Sequence, residues 1–141
     1  MDTALRYAQL STAKRAKVGA VIVKDGRILS IGYNGIPSGW DNCCEKEIPE
    51  AVDAESRTIT PAQLVTKPEV IHAESNAITK VARSSESTEG STLYTTMLPC
   101  LDCAKLIYQS GIREVYYKDV YPKGTAGLDF LNKCKIPVSK I

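Results

Sequence analysis

Two short motifs constrain this chain most, because their side chains must come together if they hold one metal ion. The first is His72-Ala73-Glu74 and the second is Pro99-Cys100-Leu101-Asp102-Cys103. Together they offer one imidazole, two thiolates and a carboxylate left over. Structural zinc sites close all four positions with protein atoms, whereas catalytic sites leave one position for water. The motifs therefore predict a catalytic zinc site, with Glu74 beside the water and with His72, Cys100 and Cys103 as ligands.

Each motif also falls at the predicted start of a helix. His72 immediately precedes one helical pattern, and Cys100 and Cys103 share one face of the first turn of the next. Pro99 suits a helix entry, because its missing N–H needs no partner there. The partial positive charge of a helix N-terminus favours thiolate over thiol. Two alternatives stay open for these residues taken singly: a redox pair at Cys-x-x-Cys, and a histidine that merely packs.

The composition indicates an ordinary soluble globular protein. The chain has 141 residues, 43% hydrophobic and 24% charged, and we expect residues 1–141 to form a single domain. A net charge of +2 is too small for a surface coated with nucleic acid, so we expect no stable nucleic-acid partner. No signal-peptide pattern and no apolar run of ~20 residues is present. We therefore expect no membrane contact and a cytoplasmic location, in the host cytoplasm if a phage encodes the chain.

The cysteine count indicates reduced thiols and metal ligands. The five cysteines are an odd number, and no secretion signal accompanies them. We expect Cys43 and Cys44 to be free thiols in a loop and Cys134 to be a buried thiol. Because His72 is the sole histidine and these cysteines lack an evident fourth partner, we expect one zinc ion per chain.

Helical and strand patterns alternate along the chain. The predicted helices cover residues 2–14, 73–83, 101–110 and 124–133, and the predicted strands cover 18–24, 27–33, 91–96, 113–119 and 136–138. Asp25-Gly26 is a two-residue hairpin signal between the first two strands. Residues 34–67 contain many breakers and are predicted to be irregular, with a short helix near 61–65. The order predicts an α/β fold, a three-layer α/β/α sandwich. Its mixed five-stranded sheet would combine an N-terminal antiparallel hairpin with parallel strands joined by right-handed crossovers. An insert is predicted at about 35–70.

The two motifs coincide with the known signature of zinc deaminases. Further matching segments lie at residues 11–23, 32–39, 72–77 and 99–107. On these residues the chain resembles the cytidine deaminase superfamily over nearly its whole length. Gly32-Tyr33-Asn34-Gly35, with the long insert before His72, makes it most similar to the deoxycytidylate (dCMP) deaminases. The resemblance implies a cytidine deaminase-like fold.

The resemblance also implies an activity and its residues. That activity is zinc-dependent hydrolytic deamination of dCMP to dUMP and ammonia, which supplies dUMP for thymidylate synthesis. Glu74 would shuttle protons between the water, N3 and the leaving amine. The implied substrate contacts are Arg15 to the 5′-phosphate, Asn34 to the 3′-hydroxyl, the backbone N–H of Ala73 to the pyrimidine carbonyl, Tyr121 as a second phosphate contact and Lys123 as a weaker one. Arg15 as a solvated charge, Asn34 as a turn residue and Tyr121 as a packing residue are the alternatives.

Regulation and assembly are implied in the same way. Many dCMP deaminases are homohexamers that dCTP activates and dTTP inhibits. The implied nucleotide effector site comprises Gly32, Tyr33, Gly35, Ser38, Trp40, Asn42 and, from a neighbouring subunit, Asn76. An ordinary flexible loop is the alternative for this segment. Some members hold a second, structural zinc, but Ala13 stands at its first ligand position here.

Other functions remain as alternatives. A different zinc deaminase would act on tRNA adenosine, cytosine or single-stranded nucleic acid. Enzymes that act on a base within a polymer need a positive groove and stacking aromatics. One Phe, one Trp and a net charge of +2 argue against a long nucleic-acid track. A non-catalytic zinc module for protein interaction is opposed by the missing fourth ligand and the surplus Glu74.

Overall fold

A mixed five-stranded sheet forms the centre of the protein in the computed structural model, which describes residues 1–53, 55, 57–120 and 124–141. Strands β1 (Gly19–Lys24) and β2 (Arg27–Tyr33) form an antiparallel hairpin. Asp25 and Gly26 both have positive φ, at 50° and 72°, as a tight hairpin turn requires. The predicted hairpin is thereby confirmed.

Three further strands extend this hairpin, and two short pairs lie in the insert. The insert strands are β3 (Glu45–Ile48), β4 (Ala51–Val52), β5 (Ile59–Thr60) and β6 (Gln63–Thr66), and the sheet strands are β7 (Thr92–Met97), β8 (Glu114–Asp119) and β9 (Val138–Lys140). β7 pairs antiparallel to β1, and β8 and β9 follow in parallel register. The sheet order is therefore β2-β1-β7-β8-β9.

Four helices cover the two faces of the sheet: α1 (Asp2–Ala8), α2 (Ala73–Ala82), α3 (Leu101–Gln109) and α4 (Ala126–Lys133). A Cβ atom on Gly19 would strike the backbone of α1, and one on Gly32 would strike the backbone of α2. Gly32 pairs with Ala20, so these two residues share a face, while the neighbouring Gly19 points to the opposite one. α1 and α2 therefore lie on opposite faces, which confirms the predicted three-layer arrangement.

The main hydrophobic core lies on the α2 side of the sheet. It joins side chains of β1, β7 and β8 to those of α2, α3 and α4; fully buried members include Ile22, Leu93, Ile107, Val115 and Leu131. Because α2 and α3 are anchored in this core, their N-termini are held at fixed positions. Among the described residues, no helix has both the length and the apolar character that crossing a membrane would require.

The insert differs from the prediction. β3 pairs with β6, and β4 pairs with β5, as two small antiparallel sheets. The predicted short helix near 61–65 is wrong, because residues 63–66 form β6. Val65 and Thr66 are β-branched and suit a strand, and β3 supplies the hydrogen-bonding partner that a sequence window cannot reveal.

The first helix is shorter than the prediction of 2–14. α1 ends at Ala8, and side chains accept hydrogen bonds from backbone N–H groups between Ala13 and Arg15. Ser11 Oγ accepts from the Ala13 N–H at 3.2 Å, and Glu45 accepts from those of Lys14 and Arg15. These bonds offer the backbone an alternative to the helix. The last strand likewise lies at Val138–Lys140, two residues later than predicted.

Candidate active site

The three predicted metal ligands meet where α2 and α3 begin. His72 is the N-cap of α2, Cys100 is the N-cap of α3, and Cys103 lies in the first turn of α3. The Sγ atoms of Cys100 and Cys103 each lie 3.4 Å from Nδ1 of His72, and the three donor atoms lie within 4.8 Å of one another. Tetrahedral zinc with ordinary bonds to sulfur and nitrogen places such donors about 3.5 Å apart. The donor set therefore fits zinc.

The electrostatics of this cluster favour a cation. A hydrogen bond from Cys103, and then one from His72, lowers the pKa of Cys100 to about 4. The hydrogen bond with Cys100 and then burial raise the pKa of Cys103, while the hydrogen bond with Cys100 raises the pKa of His72. These shifts favour one thiolate within the pair, and a metal ion would displace the remaining protons.

Glu74 lies beside the cluster and is not part of it. Its side chain is only 4% exposed, and its Oε1 accepts a hydrogen bond from Thr95 Oγ1 at 3.1 Å. Burial raises the pKa of Glu74, which outweighs the lowering effects of His72 and Thr95. A carboxyl group with a raised pKa holds and releases a proton more readily near neutral pH. The arrangement suits a general acid and base.

Thr95 is a site residue that the sequence analysis missed. It is fully buried in β7, and its hydroxyl also lies 3.1 Å from the carbonyl oxygen of Met97. The Thr95 hydroxyl, on β7, can therefore orient the Glu74 carboxyl. The available signal was the spacing of two residues between Thr95 and the core residue Leu93, which places both on one face of the strand.

A cavity of about 250 Å³ joins this cluster to the predicted substrate contacts. Its lining includes His72, Cys100 and Glu74, together with Arg15, Asn34 and Ala73. The structure thus places Arg15, Asn34 and Ala73, three of the five implied substrate contacts, in one space with the metal ligands His72 and Cys100. Tyr121, like Lys123, lies outside the described residues.

Asn34 and Arg15 both make contacts within the protein. Asn34 Oδ1 accepts from the Val18 N–H at 2.8 Å, and its Nδ2 donates to the Ala16 carbonyl at 2.9 Å. These bonds fix the loop that precedes β1. Nη1 of Arg15 donates to Thr66 Oγ1 at 2.9 Å. Glu45 and Thr66, from the insert, also line the cavity, and neither is marked by a sequence motif.

The predicted effector residues do not all share one surface. Gly32 is buried against α2, and Asn76 Nδ2 donates to the Tyr33 carbonyl of its own chain at 2.9 Å. Gly35 forms a bridge to Ile71. Ser38, Trp40 and Asn42 are exposed, and Trp40 lines a small groove with Lys67 and Glu69. The exposed part of the predicted set is therefore the segment 38–42.

The remaining cysteines are all reduced. Cys43 is exposed, and Cys44 is buried with its Sγ 3.4 Å from Thr12 Oγ1. Cys134, which was predicted to be buried, is only partly buried, because it caps the exposed C-terminal end of α4.

Comparison with known proteins identifies the family. The model of the cytidine and deoxycytidylate deaminase zinc-binding region matches residues 1–119. The chain belongs to this deaminase family. The predicted family, fold class and enzyme class, a deaminase that acts as a hydrolase, are therefore confirmed.

Relatives within the deaminase family cover most of the chain. Deoxycytidylate deaminase of Enterobacteria phage T4 is 41% identical over 92% of this chain and 80% of that protein. Its counterpart from Mycobacterium phage D29 is 43% identical over 87% of this chain and 91% of that protein. The crystal structure of dCMP deaminase from cyanophage S-TIM5 in complex with dCMP and dUMP is similar with a TM-score of 0.82 and 43% identity, covering 99% of this chain and 92% of that one.

Proposed function

We propose that this protein hydrolyses dCMP to dUMP and ammonia. The observation that carries the proposal is the cavity lined by the zinc-ligand residues His72 and Cys100, the buried Glu74 and the guanidinium-bearing Arg15. Relatives named deoxycytidylate deaminase, and a similar structure that contains dCMP and dUMP, support the choice of substrate. The reaction would supply dUMP for thymidylate synthesis.

His72, Cys100 and Cys103 would hold one zinc ion per chain. When bound, zinc acts as a Lewis acid and makes a water molecule nucleophilic at neutral pH. Glu74 takes a proton from the attacking water and delivers it to N3 of the pyrimidine. The water oxygen bonds to C4, and Glu74 then carries the second proton of that water from the new C4 hydroxyl to the amino group. The C4–N bond breaks, ammonia leaves and the C4 carbonyl of dUMP forms. Burial of Glu74 favours both transfers, because the raised pKa brings its two protonation states closer in free energy at neutral pH.

The rest of the cavity would orient the nucleotide. Ala73 is the first residue of α2, so its N–H has no acceptor within the helix and can bind the pyrimidine carbonyl. Asn34 retains a second amide hydrogen for the sugar 3′-hydroxyl. Arg15 presents a planar fork that suits a phosphate. Tyr121 is kept as a proposed second phosphate contact.

We also propose that the enzyme is a cytoplasmic homohexamer, in the host cytoplasm if phage-encoded, that dCTP activates and dTTP inhibits. The exposed Trp40 beside a groove with Lys67 supports an effector site that includes Ser38 and Asn42. Gly32, Tyr33, Gly35 and, from a neighbouring subunit, Asn76 stay proposed members of this effector site. Within its own chain, Asn76 ties α2 to the end of β2.

A substrate panel tests the function. Purified zinc-loaded protein is offered dCMP, CMP, deoxycytidine, cytosine, a cytosine oligonucleotide and tRNA, and ammonia release is followed with and without dCTP or dTTP. We expect dCMP to be the preferred substrate, and the emission of Trp40, the only tryptophan, to change with effector. Preference for cytosine, the oligonucleotide or tRNA would favour another deaminase of the family. Unchanged rates and unchanged emission would refute the regulatory proposal.

A further inference from the structure

We infer that the small β3/β6 sheet of the insert is part of the substrate site, because Glu45 and Thr66 hold Arg15 in place for a 5′-phosphate. The inference rests on the proposed function, which makes a nucleoside monophosphate the substrate. It assigns a task to a segment that carries no catalytic motif. Glu45 and Thr66 would be positioning residues, since they act through Arg15.

Glu45 binds the backbone at Arg15. Glu45 is only 5% exposed, although the other residues of β3 are exposed. Oε1 accepts from the backbone N–H of Lys14 at 2.9 Å and from that of Arg15 at 3.1 Å. A carboxylate that binds two backbone N–H groups makes strong charge-assisted hydrogen bonds, which offset the cost of its burial.

Thr66 binds the guanidinium end of the Arg15 side chain. It is the cross-strand partner of Glu45 in the β3/β6 register, and its Oγ1 accepts from Nη1 of Arg15 at 2.9 Å. One pair of neighbouring strand positions therefore fixes both the backbone and the guanidinium of Arg15. All three residues line the cavity that the metal ligands His72 and Cys100 also line.

This arrangement has a consequence for substrate preference. An arginine side chain loses much rotamer freedom when it binds an anion, and a prior hydrogen bond reduces that cost. A substrate without a phosphate does not use Arg15 and gains nothing from its orientation. The β3/β6 sheet should therefore favour dCMP over deoxycytidine specifically.

The test compares these two substrates in Thr66→Val, which keeps the shape of the side chain and removes its acceptor. We expect the ratio of kcat/KM for dCMP to that for deoxycytidine to fall by about five- to tenfold, mainly through KM for dCMP. Thr66→Ser, which keeps the hydroxyl acceptor, should have the wild-type ratio. Thr60→Val, at an exposed position on β5 of the same insert, is the matched control and should keep the wild-type ratio.

A double-mutant cycle asks whether the effect passes through Arg15. In an Arg15→Ala background, Thr66→Val should no longer change the ratio. Glu45→Ala, with the exposed Glu47→Ala as its control, should behave in the same way as Thr66→Val, so the test does not depend on one variant. The product dUMP should raise the melting temperature less in either variant than in wild type, whereas deoxyuridine should not distinguish them.

Three results would overturn the inference. They are an unchanged ratio in both Thr66→Val and Glu45→Ala, an equal loss for both substrates, and an effect that persists without Arg15. A wild-type enzyme that does not prefer dCMP over deoxycytidine would refute the proposed function itself, and the inference with it. Failure of the function is thus read from the wild type, and failure of the inference from the variants.

Discussion

At the scale of single residues, burial gives Glu74 its chemical character. An exposed carboxyl is ionised at neutral pH and is a poor proton donor, whereas the Glu74 side chain is 4% exposed and its pKa is raised by that burial. Thr95 supplies a hydrogen bond that holds the carboxyl in one orientation. Proton transfer by Glu74 therefore requires both that its carboxyl lies near the metal ligands and that it is buried away from water.

Replacing Glu74 with Gln should separate metal binding from turnover. The amide keeps the size of the side chain and the acceptor for Thr95, but it cannot carry a proton. We expect turnover of dCMP to fall by about 10²- to 10⁴-fold, with zinc content unchanged. Ammonia release and metal analysis measure the two quantities, and Glu47→Gln, at an exposed position, is the control. A variant that keeps more than a few per cent of the rate would disprove the proton-shuttle role.

At the scale of elements, close backbone approach holds the site together. Gly19 and Gly32 let α1 and α2 approach the sheet, and Gly127 lets α4 approach the loop that carries the second motif. A Cβ on Gly127 would contact the Pro99 carbonyl oxygen and would lie 2.9 Å from the carbonyl oxygen of Cys100. α4 therefore supports a metal ligand although it contributes none.

Gly127→Ala should weaken the metal site through this contact. The added methyl group must push the backbone of Pro99 and Cys100 away, since neither partner is the end of a flexible side chain. We expect zinc affinity to fall by about 10- to 100-fold, the range for loss of groups that support ligands. Competition with a chelating dye measures the affinity. Asn132→Ala, an exposed position on the same helix, should bind zinc as wild type does; equal affinity in both variants would disprove the supporting role of Gly127.

At the scale of the whole molecule, a metal ion would link α2 to α3. The free energy of binding then adds to the stability of the fold, because the unfolded chain has no preformed site. Protonation of the ligand side chains opposes metal binding. The pKa values of His72 and Cys103 are raised, while that of Cys100 is lowered to about 4. His72 and Cys103 are therefore the groups that must lose protons when a metal ion binds.

Removal of zinc should lower the melting temperature, and zinc affinity should rise with pH. In the metal-free protein, protonated His72 stabilises the fold at pH values below the ordinary pKa of histidine. This contribution is lost as the pH rises through the raised pKa that His72 has in the folded protein. Zinc binding has the opposite slope because it releases protons. We expect affinity to increase about tenfold per pH unit for each proton released. Dye competition at pH 6, 7 and 8 measures this, and a flat or falling affinity would contradict it.

The sequence by itself determined the features that depend on local pattern and on the chemistry of side chains. Short strand-like runs located the five strands of the main sheet, Asp25-Gly26 located the hairpin, and two motifs identified three metal ligands and a carboxylate. These features could be predicted because a helix start or a tight turn is specified by neighbouring residues. The ends of α1 and β9 were less well predicted, since long-range contacts determine where they stop.

Only the tertiary structure decided how distant side chains complete the site. The β3/β6 pairing, the burial of Glu45, the hydrogen bond between Thr66 and Arg15 and the support of Glu74 by Thr95 all join residues far apart in the chain. No motif marks them, because a threonine or a glutamate in a strand has the same local pattern whether it faces water or a cavity. The free energy of each contact depends on a partner that only folding brings within hydrogen-bonding distance.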